Sequence, residues 1–81
     1  MKVKIFVTLK NGILDPQGRA IQQSLQTLGF STVEEVRIGK FMELDLNETD
    51  TTSAENKIKS MCEKLLANTV IEDYRYEIFE T

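Results

Sequence analysis

The sequence predicts an α+β fold in which two helices cover one face of a mainly antiparallel sheet. Alternating apolar segments lie near both ends and in the middle of the chain, and two amphipathic segments with helical spacing separate them. The predicted order is β-α-β(β)-α-β, for which a two-layer sandwich is the economical arrangement. A length of 81 residues is enough for one domain only. We therefore expect residues 1–81 to form a single domain.

The first strand is predicted from Lys2 to Leu9. Its apolar residues Val3, Ile5, Val7 and Leu9 alternate with Lys2, Lys4, Phe6 and Thr8. This alternation is typical of a strand with one buried face. Asn11 and Gly12 follow, and this pair favours a tight turn that ends the strand.

The first helix has a start signal, a stop signal and an unusual glycine. Asp15 is placed to cap the helix, and Pro16 suits its first position because proline has no N–H to leave unpaired. Gly29 is placed to end it. Gly18 costs up to about 1 kcal/mol relative to alanine inside a helix. It indicates either that another backbone segment approaches closely or that glycine is simply tolerated in a first turn.

The stretch from Val33 to Leu46 is open to two interpretations. Five apolar residues share one parity, namely Val36, Ile38, Met42, Leu44 and Leu46. They fit either one long strand bent at Gly39 or two strands that meet at Gly39 and Lys40. Because only Lys40 interrupts the apolar parity, we expect one long, bent central strand.

The second helix and the last strand complete the fold. Residues 52–55 have the pattern of a capping box. The expected apolar stripe is Ala54, Ile58, Met61 and Leu65, widened by Cys62 and Leu66. Asn68 is placed to end this helix in a left-handed conformation. Residues 70–79 then alternate as a final strand.

The composition excludes several functional classes. The chain has no histidine, and Cys62 is its only cysteine. Catalytic sites of the Ser-His-Asp or Cys-His type therefore cannot be built from this chain, nor can common Cys/His zinc sites. A single cysteine favours a reducing compartment, so we expect a cytoplasmic protein. We expect no association with membranes or nucleic acid, because no leader or spanning segment is apparent and the net charge is -3.

Three groups of residues are candidate chemical sites, and each has a structural explanation. Cys62 has no histidine to activate it and is expected to be a small buried residue. Residues 37–40 carry two cations around a glycine but lack the spacing of a phosphate-binding loop, which favours a bend with solvated charges. The acidic residues of the last segment, Glu72, Asp73, Glu77 and Glu80, divide between its two faces. We expect no catalytic or metal site from them.

One phenylalanine per strand is expected on the sheet face opposite the helices. These residues are Phe6, Phe41 and Phe79, and charged side chains surround them. Aromatic residues set among charges are common in protein interfaces, and exposed apolar patches usually mark association. We predict an interface formed by these three residues, with Arg37 and Lys40 as charged contacts at its rim.

Three blocks of sequence resemble a known family. They are residues 14–18 (LDPQG), residues 36–40 with 42–44 (VRIGK and MEL) and residues 62–74 (CEKLLANTVIEDY). Together they resemble the PurS subunit of phosphoribosylformylglycinamidine (FGAM) synthase. The resemblance covers essentially the whole chain and is weakest over residues 47–57.

This resemblance implies an accessory subunit of de novo purine synthesis with no catalytic residues or cofactor of its own. The complex would convert formylglycinamide ribonucleotide to its amidine and use glutamine, ATP and magnesium. The implied partners are a second copy of this chain, as a dimer or higher oligomer, the large synthetase subunit PurL and the glutaminase subunit PurQ. The chain would bridge PurL and PurQ and support the transfer of ammonia between them.

Two other functions remain open at this level. A small-molecule-binding regulatory dimer module has the same kind of fold, and fold alone does not decide function. RNA binding on the open sheet would use the three phenylalanines to stack bases, although the acidic charge counts against it.

Overall fold

The computed structural model describes residues 1–79 and has the expected α+β class. The elements in that range are β1 (Lys2–Leu9), α1 (Pro16–Thr27), β2 (Gly39–Asp45), α2 (Thr51–Met61) and β3 (Glu72–Phe79). A π-helical turn, Cys62–Leu66, continues α2. The strands form an antiparallel sheet in the order β2-β1-β3. The predicted class, helix count and strand direction are confirmed.

The core lies between the central strand β1 and α2. Val3, Ile5 and Val7 alternate along β1 and are essentially inaccessible to solvent. They pack with Ile58 and Cys62 from the helix and the turn that follows it. Burying an aliphatic side chain of this size stabilises the fold by roughly 1.5–3 kcal/mol. The core is therefore one small cluster centred on β1.

Helix α1 lies outside this core. Gly18 is its only buried residue, and none of its side chains belongs to the core cluster. Ile21 and Leu28, which share its apolar stripe, are 41% and 72% exposed. Of the two helices expected to cover the sheet, α2 supplies the core residues and α1 supplies none. The molecule is accordingly long and thin, with extents of 49 × 28 × 14 Å.

The predicted signals at both ends of α1 are confirmed. The Asp15 side chain accepts a hydrogen bond from the Gly18 N–H at 2.9 Å. At the other end Gly29 has φ = 102°, in the left-handed region that favours glycine. The Gly29 N–H donates to the carbonyl of Gln26, and the next N–H donates to the carbonyl of Leu25. This paired pattern is the Schellman motif, which satisfies carbonyls that have no partner within the helix.

The long bent strand predicted over residues 33–46 is wrong in its first half. The strand begins only at Gly39, which pairs with Thr8 near the end of β1. In this register residues 33–37 would have to pair with residues 10–14, which lie beyond the end of β1 at Leu9. The chain turns away there, with Gly12 at φ = 86°. No neighbouring strand is therefore available to residues 33–37.

Side chains of α1 and its cap hold residues 33–38 instead. The Gln22 amide donates to the carbonyl of Glu34 at 2.7 Å, and the Gln26 amide donates to the carbonyl of Val33 at 3.2 Å. These bonds replace part of the hydrogen bonding that a strand partner would supply. The segment is thereby attached to α1, and α1 is attached to the sheet through it.

The start of α2 also differs from the prediction. The capping residue is Asp50, whose side chain accepts from the Ser53 N–H at 3.1 Å, so the helix begins at Thr51. The predicted capping box at residues 52–55 is therefore wrong. Asp50 is an equally good capping residue because its carboxylate satisfies one of the unpaired N–H groups of the first turn.

The end of α2 changes which leucine faces the core. The Ala67 N–H donates to the carbonyl of Cys62 at 3.0 Å, a bond that inserts one extra residue into the turn. As a result Leu66 packs against the core, whereas Leu65 is 83% exposed. The predicted place of Leu65 in the buried stripe is wrong. The left-handed stop at Asn68 is also wrong, since among residues 1–79 only glycines have positive φ.

Candidate functional site

Two of the three predicted interface phenylalanines are in contact. Phe6 on β1 pairs directly with Phe41 on β2, and their ring centroids are 5.1 Å apart with planes tilted by 37°. The guanidinium carbon of Arg75 lies 3.9 Å from the centroid of Phe6, a cation–π arrangement. Phe41 is nevertheless 53% exposed. These three residues form an ordered aromatic and cationic surface on the side of the sheet opposite α2.

Phe79 lies on the same face but at the other end of β1. It pairs with Lys2, four residues from Phe6, which corresponds to roughly 13 Å along a strand. The Lys4 ammonium lies 5.0 Å from the centroid of the Phe79 ring. The phenylalanines therefore form a pair and a separate third ring. We call this sheet surface the phenylalanine face.

Charges on the phenylalanine face are ordered by strand. The central strand carries Lys2 and Lys4, and the outer strands place carboxylates opposite them: Asp45 opposite Lys2, and Glu43 and Glu77 opposite Lys4. Arg75 on β3 also forms an ion pair with Glu77 at 3.0 Å. Opposite charges at paired positions favour this register over a shifted one.

The two predicted rim residues lie elsewhere. Lys40 pairs with Val7, so it projects on the α2 side of the sheet and not on the phenylalanine face. Arg37 precedes β2, and its Nη1 donates to Oδ1 of Asn11 at 3.1 Å in the loop after β1. The predicted rim position of Lys40 is therefore wrong, because it has the same parity as the inward-facing Met42. The interface role of the phenylalanines stays a prediction.

A second ordered region lies where the loop after β1 meets α1 and residues 33–38. Asp15 accepts the Gly18 N–H through Oδ1 and the Ile38 N–H through Oδ2, the latter at 3.0 Å. These two backbone bonds lower the pKa of the Asp15 carboxyl, with a smaller contribution from the positive charge of Arg37. One carboxylate therefore joins the start of α1 to the segment that leads into β2.

Gly18 is required at this junction. A Cβ atom placed on it would lie 2.7 Å from Oδ2 of Asp15 and closer still to the carbonyl oxygen of Val36. Cβ atoms essentially never come within 3.0 Å of such atoms. The close backbone approach considered from the sequence is thus confirmed, and its partner is residue 36.

These contacts border an open cleft of about 350 Å³. Its walls are the loop of residues 10–15, the first turns of α1 and residues 35–37. The charged residues that line it are Lys10, Asp15, Arg19, Glu35 and Arg37. The sequence drew attention to Arg37 but not to Arg19. No local signal points to Arg19, because the cleft exists only when residues 33–38 lie beside α1.

The remaining candidates show no catalytic arrangement within residues 1–79. Cys62 is buried, and burial together with the nearby Glu63 raises the pKa of its thiol. No group of three or more acidic or cysteine side chains in that range is suited to hold a metal ion. Glu72 accepts the Asn68 N–H at 2.7 Å, a structural role at the end of the π-helical turn. Glu80, the last member of the predicted acidic group, lies outside the described residues.

None of the helices in residues 1–79 is long and apolar enough to cross a membrane. Even α2 together with the π-helical turn that continues it runs only from Thr51 to Leu66, whereas a spanning helix needs roughly 20 apolar residues.

Sequence comparison identifies close relatives over nearly the full length. The family model PurS, described as phosphoribosylformylglycinamidine (FGAM) synthase, matches residues 2–80. The chain is 54% identical over 79 residues to the PurS subunit of Bacillus subtilis, covering 98% of this chain and 93% of that protein. It is 51% identical over 75 residues to the PurS subunit of Synechocystis, covering 93% and 75% of the two chains.

Comparison with solved structures gives the same result. The fold matches PurS of Bacillus subtilis with a TM-score of 0.87, 54% identity and 98% coverage of both chains. It matches PurS of Methanocaldococcus jannaschii, one of the subunits of formylglycinamide ribonucleotide amidotransferase in the purine biosynthetic pathway, with a TM-score of 0.87, 38% identity and coverage of 99% and 96%. A chain in the structure of PurLQS from Thermotoga maritima matches with a TM-score of 0.86, 30% identity and coverage of 94% and 93%. The agreement of family model, sequence identity and fold over almost every residue shows that this chain belongs to the PurS family of FGAM synthase subunits.

Proposed function

We propose that this chain is a non-catalytic bridging subunit of FGAM synthase. It acts as a homodimer that holds the synthetase subunit PurL and the glutaminase subunit PurQ so that ammonia passes between them. The observation that carries the proposal is a thin fold with two uncovered apolar surfaces, one on α1 and one on the phenylalanine face. The likeness to a chain of the Thermotoga maritima PurLQS structure supports the same assembly here.

The chemistry of the side chains supports a role without catalysis. Release of ammonia from glutamine by nucleophilic catalysis needs an activated nucleophile. Cys62 is buried, with a raised thiol pKa, and the chain has no histidine. The proposal therefore assigns glutamine hydrolysis and the use of ATP and magnesium to the other subunits, and no cofactor to this chain. A cytoplasmic location, where a single thiol stays reduced, belongs to the same proposal.

The apolar side of α1 supports self-association. Ile21 on the helix, and Leu28 and Phe30 just after its end, are 41%, 72% and 57% exposed in a single copy. A helix of 12 residues is marginal in water without tertiary packing. Covering this side with a second copy would give α1 the burial that its own core does not supply. We therefore propose α1 as the dimer surface.

The phenylalanine face suits contact with a partner subunit. Aromatic residues and arginine are enriched at the energetically important centres of interfaces. Arg75 already lies over Phe6, which in turn contacts Phe41, so little side-chain freedom remains to be lost on binding. The alternating charges around them favour one docking orientation over others.

Reconstituted turnover tests the bridging role. The PurL and PurQ subunits are assayed with and without this chain, once with glutamine and once with an ammonium salt as nitrogen source. We expect glutamine-driven turnover to require this chain and ammonia-driven turnover to proceed without it. This pattern follows because the adaptor affects only the delivery of ammonia.

Two results would contradict the proposal. If neither reaction depends on this chain, it does not couple the subunits. If ammonia from glutamine equilibrates fully with bulk solvent during turnover, as measured by dilution of labelled glutamine nitrogen with unlabelled ammonium, the chain does not support direct transfer. A Phe41→Ala variant that assembles and couples normally would remove the phenylalanine face from the bridge.

A further inference from the structure

The cleft beside α1 is not used by the bridging role. Cations reach it from three separate parts of the chain: Lys10 from the loop after β1, Arg19 from α1 and Arg37 from the segment before β2. The carboxylates of Asp15 and Glu35 also line it, so the five charged groups leave one net positive charge. Its volume of about 350 Å³ lies at the small end of the range for small-molecule sites, about 300–1,000 Å³.

The anionic groups of the cleft compensate these cations only in part. Both oxygens of Asp15 already accept backbone N–H groups, from Gly18 and Ile38. Lys10 Nζ lies 3.9 Å from Oδ1 of Asp73, and this long, exposed ion pair contributes little to stability. Within residues 1–79, the Arg19 side chain makes no hydrogen bond or ion pair. Arg37 uses one nitrogen for Asn11 and keeps other donors available.

The walls of the cleft are held in place before any ligand binds. Asp15 joins α1 to the segment before β2, and Gln22 holds the same segment through the carbonyl of Glu34. The backbone of Gly18 lies directly against residue 36. Asn11 orients the guanidinium of Arg37. A ligand therefore loses less affinity to the ordering of side chains and loops.

We propose that this cleft binds the phosphate group of a small molecule through Arg19, Arg37 and Lys10. A phosphate has oxygens that point in several directions, which suits cations arriving from three elements. A carboxylate has two oxygens in one plane, which suits a single guanidinium better. This site is separate from the phenylalanine face and does not depend on the bridging function.

Titration of the full-length protein with inorganic phosphate tests the proposal. Amide resonances are followed by NMR at neutral pH, with sodium chloride and sodium acetate titrated at matched ionic strength. We expect phosphate to shift the resonances of residues 11–12, 19 and 37 with saturation. The Arg19→Gln and Arg37→Gln variants should each weaken the affinity roughly tenfold, as expected for loss of a charge-assisted hydrogen bond.

Lys59→Gln is the matched control, because it removes the same charge from an exposed position on α2 that does not line the cleft. It should leave the phosphate affinity unchanged. Arg19→Gln should not disturb folding, since the Arg19 side chain makes no hydrogen bond or ion pair within residues 1–79. The proposal is overturned if chloride or acetate produces the same shifts. It is also overturned if either arginine variant binds phosphate as the original protein does, or if Lys59→Gln weakens binding equally.

Discussion

Replacing Gly18 with alanine has two opposing effects on stability: alanine is the better helix former, but its methyl group would overlap neighbouring atoms. In a solvated helix the change would stabilise the fold by up to about 1 kcal/mol. Here the added methyl group would lie 2.7 Å from Oδ2 of Asp15, and nearer still to the backbone oxygen of Val36. The Val36 oxygen belongs to the main chain, so it cannot turn aside as a flexible side chain would.

The expected net effect is destabilising. Forcing a methyl group into a filled site typically costs about 1–3 kcal/mol. Because the closest atom is a main-chain oxygen, we expect a cost in the upper part of this range, about 2–3 kcal/mol, which exceeds the propensity gain. We therefore expect Gly18→Ala to lower the free energy of unfolding by roughly 1–2 kcal/mol, or the melting temperature by about 4–8 °C per kcal/mol for a domain of this size. The displaced segment should also lose the hydrogen bond between Ile38 and Asp15, which is 3.0 Å long.

Urea unfolding followed by circular dichroism measures the change, at one fixed protein concentration because a dimer would make stability concentration-dependent. Ser24→Ala is the control, since Ser24 is exposed on the same helix. It should stabilise the protein by at most about 0.5 kcal/mol through propensity alone. If Gly18→Ala is as stable as the original protein or more stable, residue 36 does not pack against α1 as the structure shows.

Three further predictions follow from the same structure. Because backbone hydrogen bonds lower the pKa of Asp15 below its ordinary value of 3.8, its stabilising contribution is complete above that value. This contribution is lost as the pH falls through the lower pKa of Asp15 in the folded protein. In urea unfolding at a series of pH values, Asp15→Asn should therefore reduce the loss of stability at acidic pH. An unchanged pH dependence would count against Asp15 as the capping residue. Leu65→Ser should change stability by at most about 0.5 kcal/mol because Leu65 is exposed, whereas Leu66→Ser should cost roughly 1–3 kcal/mol. If thermal unfolding shows that Leu65→Ser and Leu66→Ser destabilise the protein equally, the π-helical turn does not place the two leucines as described. Phe41→Ala should weaken binding to the other subunits, measured by light scattering, because the phenylalanine face is the proposed contact with a partner subunit. A complex of unchanged mass would exclude this surface from that contact.

Much of the secondary structure followed from local signals. The cap at Asp15, the stop at Gly29 and the alternation of β1 each depend on a few neighbouring residues, and each appears in the structure as expected. The errors arose where two local signals competed or where a distant segment was decisive. Asp50 and Thr52 are both good caps, and the apolar parity before Gly39 persists although no strand is present to pair with it.

The candidate sites were less predictable than the fold. Strand parity correctly placed Phe6 and Phe41 on one face, because side chains alternate strictly along a strand. Parity does not specify which residues of separate strands stand opposite each other, so the distance of Phe79 from this pair could not be inferred. The cleft could not be predicted from local sequence patterns. Arg19 and Arg37 line it together only because Asp15 and Gly18 hold residues 33–38 beside α1.

The sequence by itself determined the α+β class, the limits of β1 and α1, the absence of histidine chemistry and the resemblance to PurS. These properties depend on composition and on patterns between near neighbours. Only the tertiary structure decided the strand register, the outward turn of Leu65, the exposure of α1 and the cleft beside it. Each of these depends on contacts between residues far apart in the chain, whose energies do not appear in any local pattern.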